Sequence, residues 1–294
     1  MQIMKRVIFS LYIDIPSDEL DYQIPYFWDT ISKTERTKEI FAKEYSRLIE
    51  TKQRYADKIN VPFIMYEYDE QYKKYHSFFK ENYPEITTYN IVNFYKIHLL
   101  YELAKEYDEI LYLDFDVVPV TNESFFDVWD LSKGICLYNN NDSVNRKRKP
   151  LDKIKQSIRS PTAKYYNTQA MLIEEGCSPK NDVINTGIIG TNKTFLTQLD
   201  YYGDFKNTLK LMRKLKEEND YSLYPENLVK IFGYDNETIM SYKIKKNNIV
   251  VQWLDNNWHH FYDVELYIPN DVKLIHTINK RFDYVWRYYE KCDL

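Results

Sequence analysis

Two carboxylates, two residues apart at the end of an apolar run, are the residues best placed to do chemistry in this sequence. The stretch is Glu109-Ile-Leu-Tyr-Leu-Asp-Phe-Asp-Val-Val-Pro-Val120, and the acids are Asp114 and Asp116. A continuous apolar, β-prone run reads as a strand buried on both faces, as in a parallel sheet. Carboxylates at the end of such a strand are costly unless positive charge lies between them. Oxygen ligands suit Mg²⁺ and Mn²⁺, so a divalent cation is the expected partner. In open α/β sheets, ligands bind just beyond the carboxyl ends of the strands, where this pair falls. The plainer reading is two acids that end a strand and face water.

The elements around this stretch alternate. Val7–Ile13 reads as a first strand, followed by a loop with Tyr12, Asp14 and Pro16. Residues 33–59 carry Phe41, Tyr45, Leu48, Tyr55 and Ile59 at helical spacing on a charged background, the pattern of a long amphipathic helix. Val61–Tyr68 reads as a strand and residues 70–81 as a short helix. Thr88 reads as the N-cap of a helix reaching about Tyr107, which leads into the acidic strand. Strand, helix, strand, helix, strand is the order of a parallel α/β sheet with right-handed crossovers.

Gly134–Tyr138 reads as another strand. Asp182–Gly190 is a strand interrupted by Asn185 and Gly187, and glycine inside a strand marks close approach of a ligand or another backbone. A helical region covers about Asn192–Asn219, with a break near Gly203. Asp235 reads as the N-cap of a short helix, Ile249–Trp253 and Val272–His276 as late strands, and a last helix carries Phe282, Val285, Trp286 and Tyr289. No repeat, low-complexity segment or linker divides the chain, so residues 1–294 are expected to form a single domain.

Composition narrows the class. The chain has 294 residues, 44% of them hydrophobic, enough for a sizeable core. The net charge of −4 argues against general nucleic-acid binding. The three cysteines are far apart and lack metal-ligand spacing, which points to a reducing compartment. The apolar run at the N-terminus is too short to span a membrane and lacks a small-residue cleavage site. Tyrosine is abundant, with 29 residues against 6 glycines. Its apolar body and polar tip suit polar ligands such as sugars, although a bias toward Tyr, Lys, Asn and Ile is the plainer account. The polar segment from Asn139 to about Thr168, basic between Arg146 and Arg159, reads first as a solvated loop. Its functional readings are a lid near an anionic ligand or a peripheral patch on an anionic membrane surface.

Taken in order, these pieces resemble the nucleotide-sugar-dependent glycosyltransferases of the GT-A fold, most closely the glycogenin and bacterial α-galactosyltransferase type. In that type a Lys-bearing helix precedes an apolar strand ending in Asp-x-Asp. Here the helix holds Phe94-Tyr-Lys-Ile-His98 and the strand ends at Asp114-Phe-Asp116. A later Asn-x-Gly strand is matched by Asn185-Thr-Gly-Ile-Ile189, and an acidic helix start by Asp235-Asn-Glu237. A strand-end His followed by a Lys is matched by His276-Thr-Ile-Asn-Lys280. The family pattern has a Gly between His and Lys and a longer gap; here the Gly is absent and the gap shorter.

The resemblance implies a Rossmann-like α/β domain with a mostly parallel central sheet flanked by helices. It implies transfer of a hexose from a UDP-sugar, UDP-glucose or UDP-galactose first, to a carbohydrate or other hydroxyl acceptor, with retention at the anomeric carbon. Asp114 and Asp116 would bind Mn²⁺ or Mg²⁺, with Asp114 also touching ribose, and His276 would complete the metal ligands. Lys96 and Lys280 would face the donor, and Leu11 and Tyr12 would hold the base. Asn185, Asp235 and Glu237 would contact the transferred sugar. A diphosphate leaving group builds negative charge, which a metal and lysines stabilise. Two rival readings remain: a Mg²⁺-dependent phosphohydrolase of the haloacid-dehalogenase type, which shares the Asp-x-Asp strand, and an inactive carbohydrate-binding protein on the same fold. A cytoplasmic location is expected. Of the four Asn-x-Ser/Thr sites, at Asn122, Asn141, Asn192 and Asn236, the last falls in the expected donor site, where a glycan would block binding.

Overall fold

The structure, a computed structural model, describes residues 4–21, 32–145, 160–217 and 233–292. The basic segment 146–159, read above as a lid or a membrane-facing patch, lies outside the described residues. In chain order the elements begin β1 (Arg6–Leu11), α1 (Lys33–Lys58), β2 (Phe63–Tyr66), α2 (Glu70–Asn82), α3 (Thr88–Leu103), β3 (Glu109–Leu113), β4 (Val117–Pro119) and α4 (Phe125–Val128). They continue β5 (Ile135–Asn139), α5 (Asn141–Asn145), α6 (Ser160–Glu174), β6 (Ile184–Asn192), α7 (Lys193–Leu199) and α8 (Phe205–Glu217). The chain closes with α9 (Asn236–Lys246), β7 (Val251–Trp253), α10 (Tyr262–Glu265), β8 (Leu274–His276) and α11 (Phe282–Tyr289).

The fold is mixed α/β. Six strands run in the order β2-β1-β3-β6-β5-β7, and β4 and β8 form a separate pair. β1 pairs in parallel with β2 and β3, and β5 with β7, while β6 runs antiparallel to β3. The expected mostly parallel sheet is present, and β3, the strand ahead of the two acids, lies inside it. All five residues of β3 are buried, as its apolar run predicts.

The chain divides into two compact units. The first holds Met1–Ser132, Gly187–Lys193 and Leu254–Leu294; the second holds Lys133–Thr186 and Thr194–Trp253. In the second unit α6 and α9 pack on each other, and Phe205, Thr208, Leu209, Met212 and Leu215 form the buried stripe of α8. Residues 141–145 and 160–168, expected to belong to a polar loop, are helical.

In the first unit α1 opens with a capping box. Ser32 Oγ accepts from Glu35 N–H at 3.2 Å, and Glu35 accepts from Ser32 N–H at 2.7 Å. α3 is capped by Thr87, one residue earlier than the sequence pattern suggests, with its side chain accepting from Asn90 N–H. Its interior is buried nearly all round, Ile91, Phe94, Tyr95, Ile97, Leu99 and Leu100 included, so Lys96 is carried inside.

The apolar run from residue 109 to 120 is broken between β3 and β4. Val117 N–H donates to the Asp114 carbonyl at 3.0 Å, a turn that redirects the chain. β4 then pairs antiparallel with β8, with Val117 opposite His276 and Val118 opposite Ile275. The cause is one hydrophobic cluster. Phe115, Val118 and Val120 bury against Phe41 and Leu48 of α1, Ile275 of β8, and Phe282, Val285 and Trp286 of α11. Trp286 also donates its indole N–H to Glu44 at 2.8 Å and lies under Arg47. Trp286→Ala is expected to lower stability by about 3–5 kcal/mol, the cost of emptying a large aromatic site, measured by urea unfolding. A loss near zero would show that α11 is not part of the core.

Candidate functional site

The turn after β3 and the end of β8 bring three metal-type ligands together. Asp114, Asp116 and His276 each offer an atom within 4.8 Å of the others. His276 Nε2 is 3.4 Å from Asp116 Oδ1 and 3.8 Å from Asp114 Oδ2. Asp116 and His276 are 5% and 3% exposed, so Asp116 does not face water, while Asp114 is half-buried. The pairing of β4 with β8 fixes this meeting. Thr277 ties it further, donating both its backbone N–H and its hydroxyl to the Asp116 carbonyl, at 3.1 and 2.8 Å.

Two lysines complete the ring of charge. Lys280 Nζ donates to Asp116 Oδ2 at 2.6 Å, and Lys96 Nζ to Asp114 Oδ1 at 3.3 Å. The Tyr112 hydroxyl also donates to Asp114 Oδ1, at 2.5 Å. Burial pushes the Asp116 carboxyl up, but Lys280 and His276 together outweigh it and hold it well below the usual carboxylate range. Burial pulls Lys280 down, and Asp116 more than restores it, so its pKa lies above the usual lysine value. Lys280 has a left-handed backbone, φ 62°, closed by its N–H to the Thr277 carbonyl at 2.8 Å. A non-glycine residue in that region carries a conformational cost.

The two residues expected to hold a base sit differently. Leu11 is core, 6% exposed. Tyr12 is half-buried and stacks on Phe115, the residue between the two acids, with centroids 4.8 Å apart and planes 14° from parallel. Its hydroxyl donates to Asp14.

Sequence reasoning passed over Lys52. It lies on α1 with no exposed surface, and its amine donates to the Phe115 carbonyl at 2.8 Å and the Leu48 carbonyl at 3.2 Å. It therefore grips the peptide between the two acids from behind. The signal was present: Lys52 follows Leu48 by four and precedes Tyr55 by three, on the buried stripe of α1. Thr277 had no such signal, and neither did Asp263, whose Oδ2 accepts from Asn279 N–H at 2.7 Å in the turn that carries Lys280.

In the second unit, Asp235 is the N-cap of α9, accepting from Thr238 N–H at 2.9 Å and from the Thr238 hydroxyl at 2.7 Å. Burial raises its pKa against the pull of Lys164 and these hydrogen bonds. Glu237 Oε1 accepts from Thr186 N–H at 2.9 Å, and its other oxygen pairs with Lys164. Asn236 Nδ2 donates to the Thr186 hydroxyl at 2.9 Å. The acidic helix start and the Asn185-Thr186 end of β6 are thus tied together, and Asn185 is half-buried beside Thr186.

No family model matches this sequence, and no curated protein matches it. The chain is similar to several solved structures. One is a glycosyltransferase involved in the glycosylation of the major capsid of PBCV-1, at 14% identity over 97% of this chain and 98% of that one, TM-score 0.41. A second is the galactosyltransferase LgtC in complex with donor and acceptor sugar analogs, at 12% identity over 93% of this chain and 87% of that one, TM-score 0.47. A third is the bifunctional glycosyltransferase WbbM, at 13% identity over 95% of this chain and 46% of that one, TM-score 0.49.

The two-oxygen, one-nitrogen donor set, with His276 buried between the acids, fits a divalent cation such as Mn²⁺ or Mg²⁺. Lys52 supplies a pH test of the site's wall. Burial lowers its pKa to about 7, with Asp116 and Asp114 opposing the drop. The unfolded chain binds this proton up to the ordinary lysine value of about 10.4, so stability rises with pH above about 7 through this group. Between pH 7 and pH 9, wild type is expected to gain stability over Lys52→Met, by at most about 1.4 kcal/mol per pH unit. Urea unfolding of both proteins at both pH values checks this, and a difference that stays constant would refute it.

Proposed function

We propose that this chain is a metal-dependent glycosyltransferase of GT-A type, acting as one domain over residues 1–294. It moves a hexose from a UDP-sugar, UDP-glucose or UDP-galactose first, to a carbohydrate or other hydroxyl acceptor. The observation that carries this reading is the convergence of Asp114, Asp116 and His276 with Lys96 and Lys280. An acid pair, a histidine and two lysines in one partly buried cluster suit a leaving diphosphate. Asp114, Asp116 and His276 would hold Mn²⁺ or Mg²⁺. When bound, that cation stabilises the negative charge of the departing diphosphate. Lys96 and Lys280 stabilise the same charge through their ammonium groups. Tyr12 and Leu11 border the nucleoside end, and Asn185, Asp235 and Glu237 orient the transferred sugar.

Retention of configuration is favoured by the state of the two acids near Asn185. A retaining enzyme can let the leaving diphosphate take the acceptor proton, so it needs no separate base. Glu237 is held by Thr186 and Lys164, and Asp235 is spent on the helix cap, so both suit orientation. A phosphohydrolase would use its first acid as the nucleophile, but Asp114 Oδ1 accepts from both Lys96 and Tyr112. Cytoplasmic action accords with three free cysteines, and no helix among the described residues is long and apolar enough to cross a membrane.

A panel of UDP-, GDP- and CMP-sugars with Mn²⁺ tests the reading by release of nucleoside diphosphate from the first two and of CMP from the third. Release is expected with a UDP-hexose, lost in excess EDTA and restored by Mn²⁺. Asp116→Asn is expected to cut turnover at least about 100- to 1,000-fold. Full activity in excess EDTA would rule the reading out. NMR of the product is expected to show an α-linkage from an α-linked donor, with Glu237→Gln slowed but active. A β-linked product together with a dead Glu237→Gln would make Glu237 the base of an inverting enzyme.

A further inference from the structure

A second histidine lies directly behind His276. His259 Nε2 and His276 Nδ1 are 2.9 Å apart, and the rings are 0% and 3% exposed. His276 turns its other nitrogen, Nε2, toward Asp114 and Asp116. A contact of this length between two ring nitrogens holds one proton, donated by one and accepted by the other. With His259 as donor, a neutral His276 carries its own proton on Nε2, where a cation needs the lone pair. With His276 Nδ1 as donor, the Nε2 lone pair faces the acids.

We propose that His259 is a positioning residue that selects the second arrangement. Its Nε2 accepts the Nδ1–H of His276, fixing both tautomer and ring direction, and so strengthens the hold of Asp114, Asp116 and His276 on a divalent cation. The inference rests on reading those three residues as a metal site.

The backbone is built to keep the two rings together. Asp255 Oδ1 accepts from Asn257 and Trp258 N–H at 2.9 and 3.0 Å, and the Asp255 carbonyl accepts from His259 N–H at 3.0 Å. The neighbouring residue clasps β8, with His260 N–H donating to the Leu274 carbonyl at 3.0 Å and His276 N–H to the His260 carbonyl at 2.8 Å. The Phe261 ring lies 4.7 Å from the His259 ring and 5.2 Å from the His276 ring.

Titration with Mn²⁺ alone, followed by electron paramagnetic resonance, separates this role from simple packing. His259→Leu fills the volume without an acceptor and is expected to weaken Mn²⁺ binding about 10- to 100-fold. His259→Gln offers a carbonyl acceptor and is expected to recover part of that loss. A second measurement uses the unaltered protein, so it does not depend on the variants folding. With ¹⁵N-labelled histidine and Mg²⁺ bound, NMR is expected to show His276 protonated at Nδ1, with a coupling across the hydrogen bond to His259 Nε2. Unchanged Mn²⁺ affinity in a folded His259→Leu, or His276 protonated at Nε2 in the wild-type spectrum, would overturn the proposal. Failure of the wild type to bind Mn²⁺ or Mg²⁺ at all would overturn the metal site itself, and this inference with it.

Discussion

The pairing of β4 with β8 is the constraint on which the site depends. Asp116 and His276 are far apart in the chain, and neither could find the other through local structure. The register that sets Val117 opposite His276 brings them together, and Thr277 locks the Asp116 peptide with two hydrogen bonds. The turn at Asp114 makes the register reachable, since a straight continuation of β3 would carry the acids past β8. The apolar residues on both sides of the turn then hold it. Phe115 and Val118 join the cluster built by α1 and α11, so the core and the site share one segment of backbone.

Burying Asp116 and His276 and half-burying Asp114 is costly unless charge is compensated. The cluster meets this with its own cations: Lys280 at Asp116 and Lys96 at Asp114. Lys52 adds a third, fully buried and bonded to backbone carbonyls rather than to an acid. Its lowered pKa shows the balance. Desolvation outweighs the attraction of Asp116 and Asp114, so the Lys52 amine is easier to neutralise than an ordinary lysine, whereas Asp116 holds Lys280 charged. The same apolar wall that gives the turn its rigidity thus makes the amine expensive to charge. One lysine grips the peptide while the other two face the carboxylates.

The short gap between His276 and Lys280 has a structural counterpart. Lys280 itself adopts the left-handed backbone that a glycine would take without strain, and the bend turns its amine back onto Asp116. Asp263 supports the bend through the Asn279 N–H. Burial raises the Asp263 pKa despite that hydrogen bond and the pull of Lys280, so this carboxyl too sits in a low-dielectric wall. The strain at Lys280 is held by contacts on both sides rather than relieved by sequence.

Much of the fold is written locally. The apolar run before Asp114, the α1 stripe of Phe41, Leu48 and Tyr55, and the Asp235 cap are set by hydrophobic period and capping chemistry, which need only near neighbours. The Asp-x-Asp spacing marks the acids for the same reason: two carboxylates beside a buried strand need a cation wherever the chain goes. Tertiary structure decided the rest. The acids mark where the first strand ends, but nothing local announces that Val117–Pro119 forms a second strand, because its partners are β8 and the core beside α11. Helical spacing sets Lys52 on the buried stripe of α1, but only the fold lays the Phe115 carbonyl against its amine. Tyr12 is drawn onto Phe115, and His259, between Trp258 and Phe261 in the sequence, meets His276 only through the β8 register. These contacts join positions distant in the chain, and the energies that select them belong to the packed core, not to any single segment.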